Sequence, residues 1–270
     1  MFRRTKRPRA ILTLGAALGC SVAAAPDRPD EAVEGATLVD ARPLLGPLFH
    51  VQGLALDGAR VWVTSVDRRS RRGWLSAFDR ATGAPLRRIE VTDGARFHPG
   101  GISIAGRSIW VPVAELKPHS SAVLLEVDTG SLKVRRRIAV ADHIGCVAAR
   151  GDMLIAGNWD SRQLYVFDLT GRGPTRVVAN PSPTHFQDMK FVGDTLVAAG
   201  DRSWWSGQVD WLAWPSLKVT RSLHAGAVWP IRPLGRGGPY TGEGFAIEGR
   251  ELFLLPEDGP SRLFRFRLKA

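Results

Sequence analysis

The chain repeats one short phrase five times, and four of the five copies begin with a histidine. Each copy is followed by alternating apolar residues and then by a glycine, eight positions after the first residue of the phrase. The phrases are His50-Val-Gln-Gly53, His98-Pro-Gly-Gly101, His143-Ile-Gly-Cys146, His185-Phe-Gln-Asp188 and Thr241-Gly-Glu-Gly244, and these marker glycines are Gly58, Gly106, Gly151, Gly193 and Gly249. The phrases start 48, 45, 42 and 56 residues apart. A period of this length, built from short β-type runs, is typical of the blades of a β-propeller.

The first repeat predicts the strands of one blade. Residues 53–56 begin an inner strand, the marker glycine turns it, and residues 61–65, 74–79 and 85–91 follow as the second, third and fourth strands. The fifth repeat stops after its third strand, at residues 263–267. Residues 36–42 resemble the fourth strands of the other repeats, and pairing them with the fifth repeat removes two exposed sheet edges. We therefore predict an all-β, five-bladed β-propeller with four-stranded blades over residues 36–270, closed by its N-terminal strand.

The first 25 residues have the pattern of a signal peptide. Five basic residues precede an apolar stretch at residues 10–19, and small residues follow before Ala25. About ten apolar residues are too few to cross a bilayer, so we predict no transmembrane segment. The pattern favours a secreted or periplasmic protein, and the alternative is a lipoprotein with a lipid anchor at Cys20. Residues 26–35 are predicted to be a polar leader without regular structure.

The charge and the cysteine content limit which classes of partner and cross-link are expected. The formal net charge is +11, and residues 1–25 contribute five of these positive charges, which leaves +6 for the remainder. The remaining arginines concentrate in the predicted outer strands, and no platform of basic and aromatic residues recurs, so we expect no nucleic-acid partner. After removal of the signal peptide, Cys146 would be the one cysteine left, which excludes a disulfide framework. We expect a monomer.

The repeat also predicts where a site should form. In a propeller the inner strands surround the axis, so residues that open them should meet at one end of the axial channel, here called the mouth. His50, His98, His143 and His185 occupy that position. Because the second strand runs back to the same end, residues nine positions after the marker glycines should join them. That count selects Asp67, Glu115, Asp160, Arg202 and Asp258, and Gln52, Asn158, Gln187, Asp188 and Glu243 fall between the two sets.

Three interpretations of this mouth stay open. In the first, the histidines satisfy backbone groups where one blade meets the next. In the second, His50, His98 and His143 hold a divalent transition metal such as Zn, Fe or Mn together with His185, and the carboxylates orient the rings.

The third interpretation is a pocket for a small polar ligand, which we take as the leading hypothesis, with or without a metal. Its ligand-binding candidates are His50, Gln52, His98, His143, Asn158, Asp160, His185, Gln187 and Asp258. An enzyme at the same mouth, a lyase, cyclase or hydrolase, is the alternative, with Glu243, Asp188 or Glu115 as the acid/base residue. A protein-interaction scaffold with an inert channel is a further alternative.

Two resemblances bear on these hypotheses. The stretches Phe49-His50-Val51-Gln52-Gly53-Leu54, Phe97-His98-Pro99-Gly100-Gly101 and Gln187-Asp188-Met189-Lys190-Phe191 resemble an uncharacterised family of secreted bacterial β-propellers, which implies fold and export. More distantly, Gln52-Gly53-Leu54 and Gly242-Glu243-Gly244-Phe245 are similar to plant-type glutaminyl cyclotransferases, which are secreted five-bladed propellers. Those enzymes carry an acidic residue in a Gly-Glu-Gly-Leu phrase of the second blade, whereas Glu243 lies in the fifth repeat of this chain.

Overall fold

The structure of the protein is a computed structural model that describes residues 32–171, 174–229, 237–259 and 261–270. The regular structure within these ranges consists of 23 β-strands. The predicted signal peptide, Cys20 and residues 26–31 of the predicted leader lie outside these ranges. No helix within the described ranges is long and apolar enough to cross a membrane.

Twenty-one of these strands form five antiparallel sheets, one for each blade, which confirms the predicted propeller. Blade one contains β2 (His50–Asp57), β3 (Arg60–Asp67), β4 (Arg72–Asp79) and β5 (Pro85–Glu90); blade two contains β6 (His98–Pro99), β7 (Ser103–Ala105), β8 (Ser108–Ala114), β9 (Ala122–Asp128) and β10 (Val134–Val140). Blade three contains β11 (Ile144–Arg150), β12 (Met153–Asn158), β13 (Gln163–Asp168) and β14 (Pro174–Ala179); blade four contains β15 (His185–Val192), β16 (Thr195–Asp201), β17 (Gly207–Ala213) and β18 (Lys218–Ala225). A two-stranded ribbon, β19 (Ala227–Val228) and β20 (Gly238–Pro239), leads to blade five, which contains β21 (Gly244–Glu248), β22 (Glu251–Leu255), β23 (Arg262–Leu268) and β1 (Ala36–Pro43).

The N-terminal strand closes the ring, as predicted. β1 lies antiparallel to β23, with Ala36 opposite Leu268 and Pro43 opposite Arg262, and the sheet order is β1-β23-β22-β21. Ala36 is buried in the same apolar cluster as Phe266. Blade five therefore takes its outer strand from the start of the described chain. This strand covers the edge of β23 that would otherwise be exposed.

The apolar core is divided among the five interfaces between neighbouring blades. Each strand alternates its side chains between the two faces of its sheet, so every blade presents one apolar face to each neighbour. Trp62 of blade one and Ile109 of blade two share one buried cluster, and Trp110 of blade two packs with Ile144 of blade three in the next. Equivalent clusters join blades three and four, four and five, and five and one.

The five marker glycines turn the inner strand of each blade into the second. Their φ angles lie between +54° and +59°, the left-handed region that glycine enters without steric cost. Their recurrence at a fixed distance from each phrase therefore records a recurring turn, and this is why the repeat is visible in the sequence.

Backbones of the inner strands touch at the axis. A Cβ atom added to Gly100 would lie 1.8 Å from the carbonyl oxygen of Gly145, and one added to Gly101 would lie 2.4 Å from that of Gln187. The amide of Gly101 donates to the Gly145 oxygen at 2.9 Å, and Val147 donates back to Gly101 at 3.1 Å. The inner strand of blade two is split into β6 and β7 at this point, because Gly101 pairs with blade three.

A buried ion pair fills the centre of the axis. Asp188 is fully buried, and its Oδ2 accepts the amides of Leu54 at 2.9 Å and Phe245 at 3.1 Å. Its Oδ1 accepts the Lys190 ammonium at 2.5 Å, and Lys190 also donates to the carbonyl of Ile102 at 2.6 Å. One carboxylate and one ammonium therefore join the inner strands of blades one, two, four and five directly below the mouth.

Candidate functional site

β-Bulges place polar side chains at the mouth. The ladder between β2 and β3 shifts register between Val51 and Gly53, and the ladder between β15 and β16 shifts between Phe186 and Asp188. A bulge leaves its extra residue outside the ladder and redirects its side chain. The extra residues are Gln52 and Gln187, each the third residue of its phrase, and Glu243 holds the same position just before β21.

The same bulges decide which residue of the second strand faces the phrase. Asp57 lies opposite Arg60, so an unbroken ladder would place His50 opposite Asp67, but the bulge places it opposite Val66. His185 likewise lies opposite Asp201. In blades one and four the residue that faces the phrase is therefore the eighth after the marker glycine, and the sequence count of nine is one residue too long there. The eighth residue is Asp201 in blade four, and Glu257 holds the same sequence position in blade five, in the loop after the strand that ends at Leu255; neither was among the predicted site residues.

One imidazole and two carboxylates converge beneath the mouth. His50 Nδ1 lies 2.7 Å from Glu257 Oε1, and His50 Nε2 lies 3.7 Å from Glu243 Oε1. The three side chains are only 10%, 13% and 12% exposed, in the order His50, Glu257, Glu243. Gln52 Nε2 donates to the other oxygen of Glu243, Oε2, at 2.8 Å and so fixes the orientation of that carboxylate.

A pocket of about 370 Å³ opens beside this group, between blades four and five. Glu243 and Glu257 form part of its wall, and His185 and Asp201 line it from blade four. Gln187 Nε2 donates to Asp201 Oδ2 at 3.3 Å. Trp204 completes the rim with a ring that is 65% exposed, which is unusual for a residue of this size. The pocket thus combines three carboxylates, the Arg202 guanidinium and the His185 imidazole with one flat apolar surface.

His98 and His143 form a pair near His50. Their ring centroids are 5.8 Å apart, and the His143 ring packs edge-on against Trp159 at 4.5 Å. Burial, together with the charges of His143 and His50, lowers the pKa of His98 to about 3. Burial also lowers the pKa of His143. Both rings are therefore neutral at pH 7, and the buried Nδ1 of His98 has no hydrogen-bond partner among the described residues.

The four histidines share one end of the propeller but do not form the predicted four-imidazole metal site. Within the described part of the chain, the group of three or more metal-ligating residues whose ligand atoms all lie within 4.8 Å is His50, Glu243 and Glu257. His185 is exposed in the pocket. His143 Nδ1 lies 3.1 Å from the carbonyl oxygen of Lys117 in blade two, which is the interblade backbone contact that the first interpretation described.

Three of the predicted ligand-binding residues form hydrogen bonds within their own loops. Asn158 Oδ1 accepts the amide of Gln163 at 3.0 Å, and Asp160 Oδ1 accepts the amide of Arg162 at 3.2 Å. Asp258 accepts both the amide of Arg262 at 2.9 Å and its Nε at 2.6 Å. These polar side chains lie at or just after the end of the second strand in blades three and five, where the turn to the third strand requires acceptors.

Of the three predicted acid/base residues, Glu243 lines the pocket and the other two do not. Asp188 lies at the axis with both oxygens accepting hydrogen bonds, and burial raises its pKa to about 6 although Lys190 opposes that change. Glu115 accepts the hydroxyl of Ser121 at 2.9 Å and lies 3.2 Å from the Lys117 ammonium, and these two contacts lower its pKa. Asp188 and Glu115 are therefore held in structural contacts outside the pocket.

Comparison with known proteins gives a family but no activity. The model of a family of unknown function (DUF6454) matches residues 39–250. The chain belongs to this family. The prediction of an uncharacterised propeller family is thereby confirmed. No curated protein matches the chain.

Among solved structures, a glutaminyl cyclase from Myxococcus xanthus is 14% identical with a TM-score of 0.62, and the match covers 87% of this chain and 96% of that one. A chain of a mitotic checkpoint complex is 12% identical with a TM-score of 0.49, covering 96% and 99% of the two chains. BamB from Moraxella catarrhalis is 12% identical with a TM-score of 0.42, covering 84% and 61%. At these identities the likeness extends to the fold alone.

Proposed function

We propose that the chain binds a small polar ligand in the pocket at the mouth. The observation that carries this proposal is the convergence of Asp201, Glu243 and Glu257, from two blades, on one pocket of about 370 Å³ beside Trp204. Binding sites for small molecules combine a concave surface, an apolar or aromatic wall and a few fixed polar groups. This pocket has all three.

The lining indicates what the ligand carries. Ionised carboxylates only accept hydrogen bonds, so the ligand presents donors, either hydroxyl groups or an amine, to Glu243 and Glu257. Both side chains are largely removed from water, which strengthens each such contact. A flat ring on the ligand packs against Trp204, since tryptophan offers a large apolar face.

Thermal stability in the presence of defined probes tests this proposal. Amino acids, monosaccharides and amino sugars are each added to the full chain, and at least one class raises the melting temperature in a concentration-dependent way. Saturation at 100 times the dissociation constant corresponds to about 2.7 kcal/mol of stabilisation. The variant Glu243→Gln, which keeps the shape of the side chain, lowers the affinity for that probe at least tenfold, about 1.4 kcal/mol.

A matched control is Asp160→Asn, because Asp160 has the same chemistry near the same end but bonds only within its own loop. It leaves the affinity unchanged. If Glu243→Gln and Trp204→Ala bind the probe as tightly as the unmodified chain, the pocket is not the binding site. If no probe class stabilises the protein at millimolar concentration, the proposal fails.

An enzyme at the same pocket is the second candidate. His50 is held between Glu257 on Nδ1 and Glu243 near Nε2, an arrangement that orients an imidazole and supports proton transfer. The Myxococcus xanthus protein with the same fold is a glutaminyl cyclase, so cyclisation of a glutaminyl peptide with loss of ammonia is the reaction to assay first. Product is followed by mass spectrometry, and Glu243→Gln abolishes it. Absence of product at high enzyme concentration removes the cyclase candidate.

We also propose export to the periplasm or the medium. The support is the pattern of residues 1–25, with its basic start, short apolar stretch and small residues. Mass spectrometry of the protein recovered from the producing cells measures the mature N-terminus. Cleavage near Ala25 supports secretion, a lipid-modified N-terminus at Cys20 supports the lipoprotein alternative, and an intact N-terminus in the cytoplasm contradicts both.

A further inference from the structure

We propose that His50, Glu243 and Glu257 bind one divalent transition-metal ion at the floor of the mouth pocket, an inference that deepens the proposed function and rests on the same site. The ligand atoms of the three residues all lie within 4.8 Å of one another. Two ligands that are each about 2.1 Å from a metal ion lie no more than about 4.2 Å apart. A small rotation of the side chains therefore brings the three atoms into coordination distance without any movement of the strands.

The surroundings hold these ligands in the orientation that a metal requires. Gln52 donates to Glu243 Oε2, so Oε1 is the oxygen that faces His50. Asp258, next to Glu257, anchors its loop through two hydrogen bonds from Arg262. A hydrogen bond such as that from Gln52, which fixes the orientation of a ligating carboxylate, is characteristic of metal sites.

A second imidazole lies next to this set. His98 is close enough to His50 for their charges to interact, and its buried Nδ1 has no hydrogen-bond partner among the described residues. In the tautomer that carries its proton on Nε2, this nitrogen offers a lone pair to a metal ion or to a proton of metal-bound water. The observation concerns a residue of blade two and is independent of the carboxylates of blade five.

The chemistry of the ligands selects the class of metal. One imidazole and two carboxylates suit Zn²⁺, Mn²⁺ or Fe²⁺, whereas Ca²⁺ takes six to eight oxygen ligands. Three protein ligands leave at least one coordination position open, as in catalytic rather than structural zinc sites. Glu243 and Glu257 both line the pocket, so the open position faces the space in which the organic ligand binds.

The experiment uses the full chain, purified without a polyhistidine tag and stripped with EDTA. Titration calorimetry with Zn²⁺, Mn²⁺, Mg²⁺ and Ca²⁺ measures stoichiometry and affinity, and visible absorption of the Co²⁺ form reports the ligand set. We expect one Zn²⁺ per chain, with Mg²⁺ and Ca²⁺ much weaker. Glu257→Gln and His50→Gln lower the Zn²⁺ affinity by at least about 100-fold, more than loss of an outer contact does.

Asp160→Asn and His119→Gln are the matched controls, since each alters the same type of side chain outside the set, and they leave the affinity and the Co²⁺ spectrum unchanged. Circular dichroism and the melting temperature identify any variant that fails to fold. Glu257→Asp then provides a conservative replacement with partial affinity. Absence of stoichiometric binding by the folded chain, or equal Zn²⁺ affinity in folded Glu257→Gln, overturns the inference.

Failure of the metal site and failure of the proposed function are distinguished by repeating the organic-probe measurements with and without EDTA. A stripped chain that binds a probe but no metal overturns the metal inference and leaves the proposed function intact. A chain that binds one Zn²⁺ but no probe in either state supports the metal inference and contradicts the binding of an organic ligand.

Discussion

Replacing Asp188 with alanine removes the acceptor that joins four inner strands at the axis. The carboxylate accepts the amides of Leu54 and Phe245 from blades one and five, and it pairs with Lys190, which reaches Ile102 of blade two. Removing one partner of a buried ion pair costs about 3–5 kcal/mol, because the other charge stays buried. At about 2–4 °C for each kcal/mol in a chain of this size, the melting temperature falls by about 6–20 °C.

Urea unfolding, followed by tryptophan fluorescence and circular dichroism, measures this loss. Asp188→Asn keeps the shape and one acceptor oxygen and is expected to lose less than alanine. Lys190→Met alone leaves the carboxylate buried without its cation and destabilises as well. The double variant Asp188→Asn with Lys190→Met removes both charges, so its loss should be smaller than the sum of the two single losses.

A partly exposed carboxylate provides the control. Asp67 bonds only within its own loop, to Arg69 and Ser70, and Asp67→Ala should change stability little. The reasoning is refuted if Asp188→Ala stays within about 1 kcal/mol of the unmodified chain, the size of an ordinary substitution. It is also refuted if the effects at Asp188 and Lys190 are additive, since coupling of the pair is the basis of the prediction.

Three further predictions concern pH, the axis and ring closure. The unfolded chain protonates His98 below about pH 6.5, whereas the folded chain does so only near its pKa of about 3. Folding therefore loses about 2 kcal/mol of stability at pH 5 through this group. In urea unfolding between pH 7 and 5, the variant His98→Gln should lose less stability than the unmodified chain. Gly100→Ala would place its Cβ 1.8 Å from the Gly145 oxygen and should lower the free energy of unfolding by about 3 kcal/mol or more. Gly106→Ala meets open space at a φ of +59° and should lower it by about 1–2 kcal/mol. A chain that lacks residues 1–43 exposes the edge of β23 and should elute as aggregates from a sizing column.

Each of these has an outcome that contradicts it. Identical acid sensitivity in His98→Gln and the unmodified chain would mean that His98 titrates normally in the fold. Equal stability of Gly100→Ala and Gly106→Ala would mean that the inner strands do not touch at the axis. A monodisperse, folded chain without residues 1–43 would mean that β1 is not needed to close the ring.

Much of the fold could be predicted from the sequence because its signals are local. The turn at Gly58 requires a left-handed residue at a fixed distance from His50, and the same requirement recurs in every blade. The outer strand at residues 36–42 was identifiable because the fifth repeat lacked one, which is a matter of counting. Neither inference needs the contacts between blades.

The site was less predictable because single-residue shifts reverse the direction of a side chain in a strand. The bulge at Gln52 moves the partner of His50 from Asp67 to Val66, and the equivalent bulge at Gln187 places Asp201 opposite His185. Asp160 and Asp258 looked like site residues because turns and binding sites use the same polar residue types. Asp188 was assigned an acid/base role, and its position at the axis depends on strands from four blades.

The sequence by itself determined the number of blades, the turns within them and the closure of the ring, since period, turn glycines and strand alternation are properties of short segments. Only the tertiary structure decided which polar side chains meet at the mouth and which hold the axis together. That outcome depends on the register of each inner strand and on the close approach of glycine backbones at the centre, and both are set by packing between residues far apart in the chain.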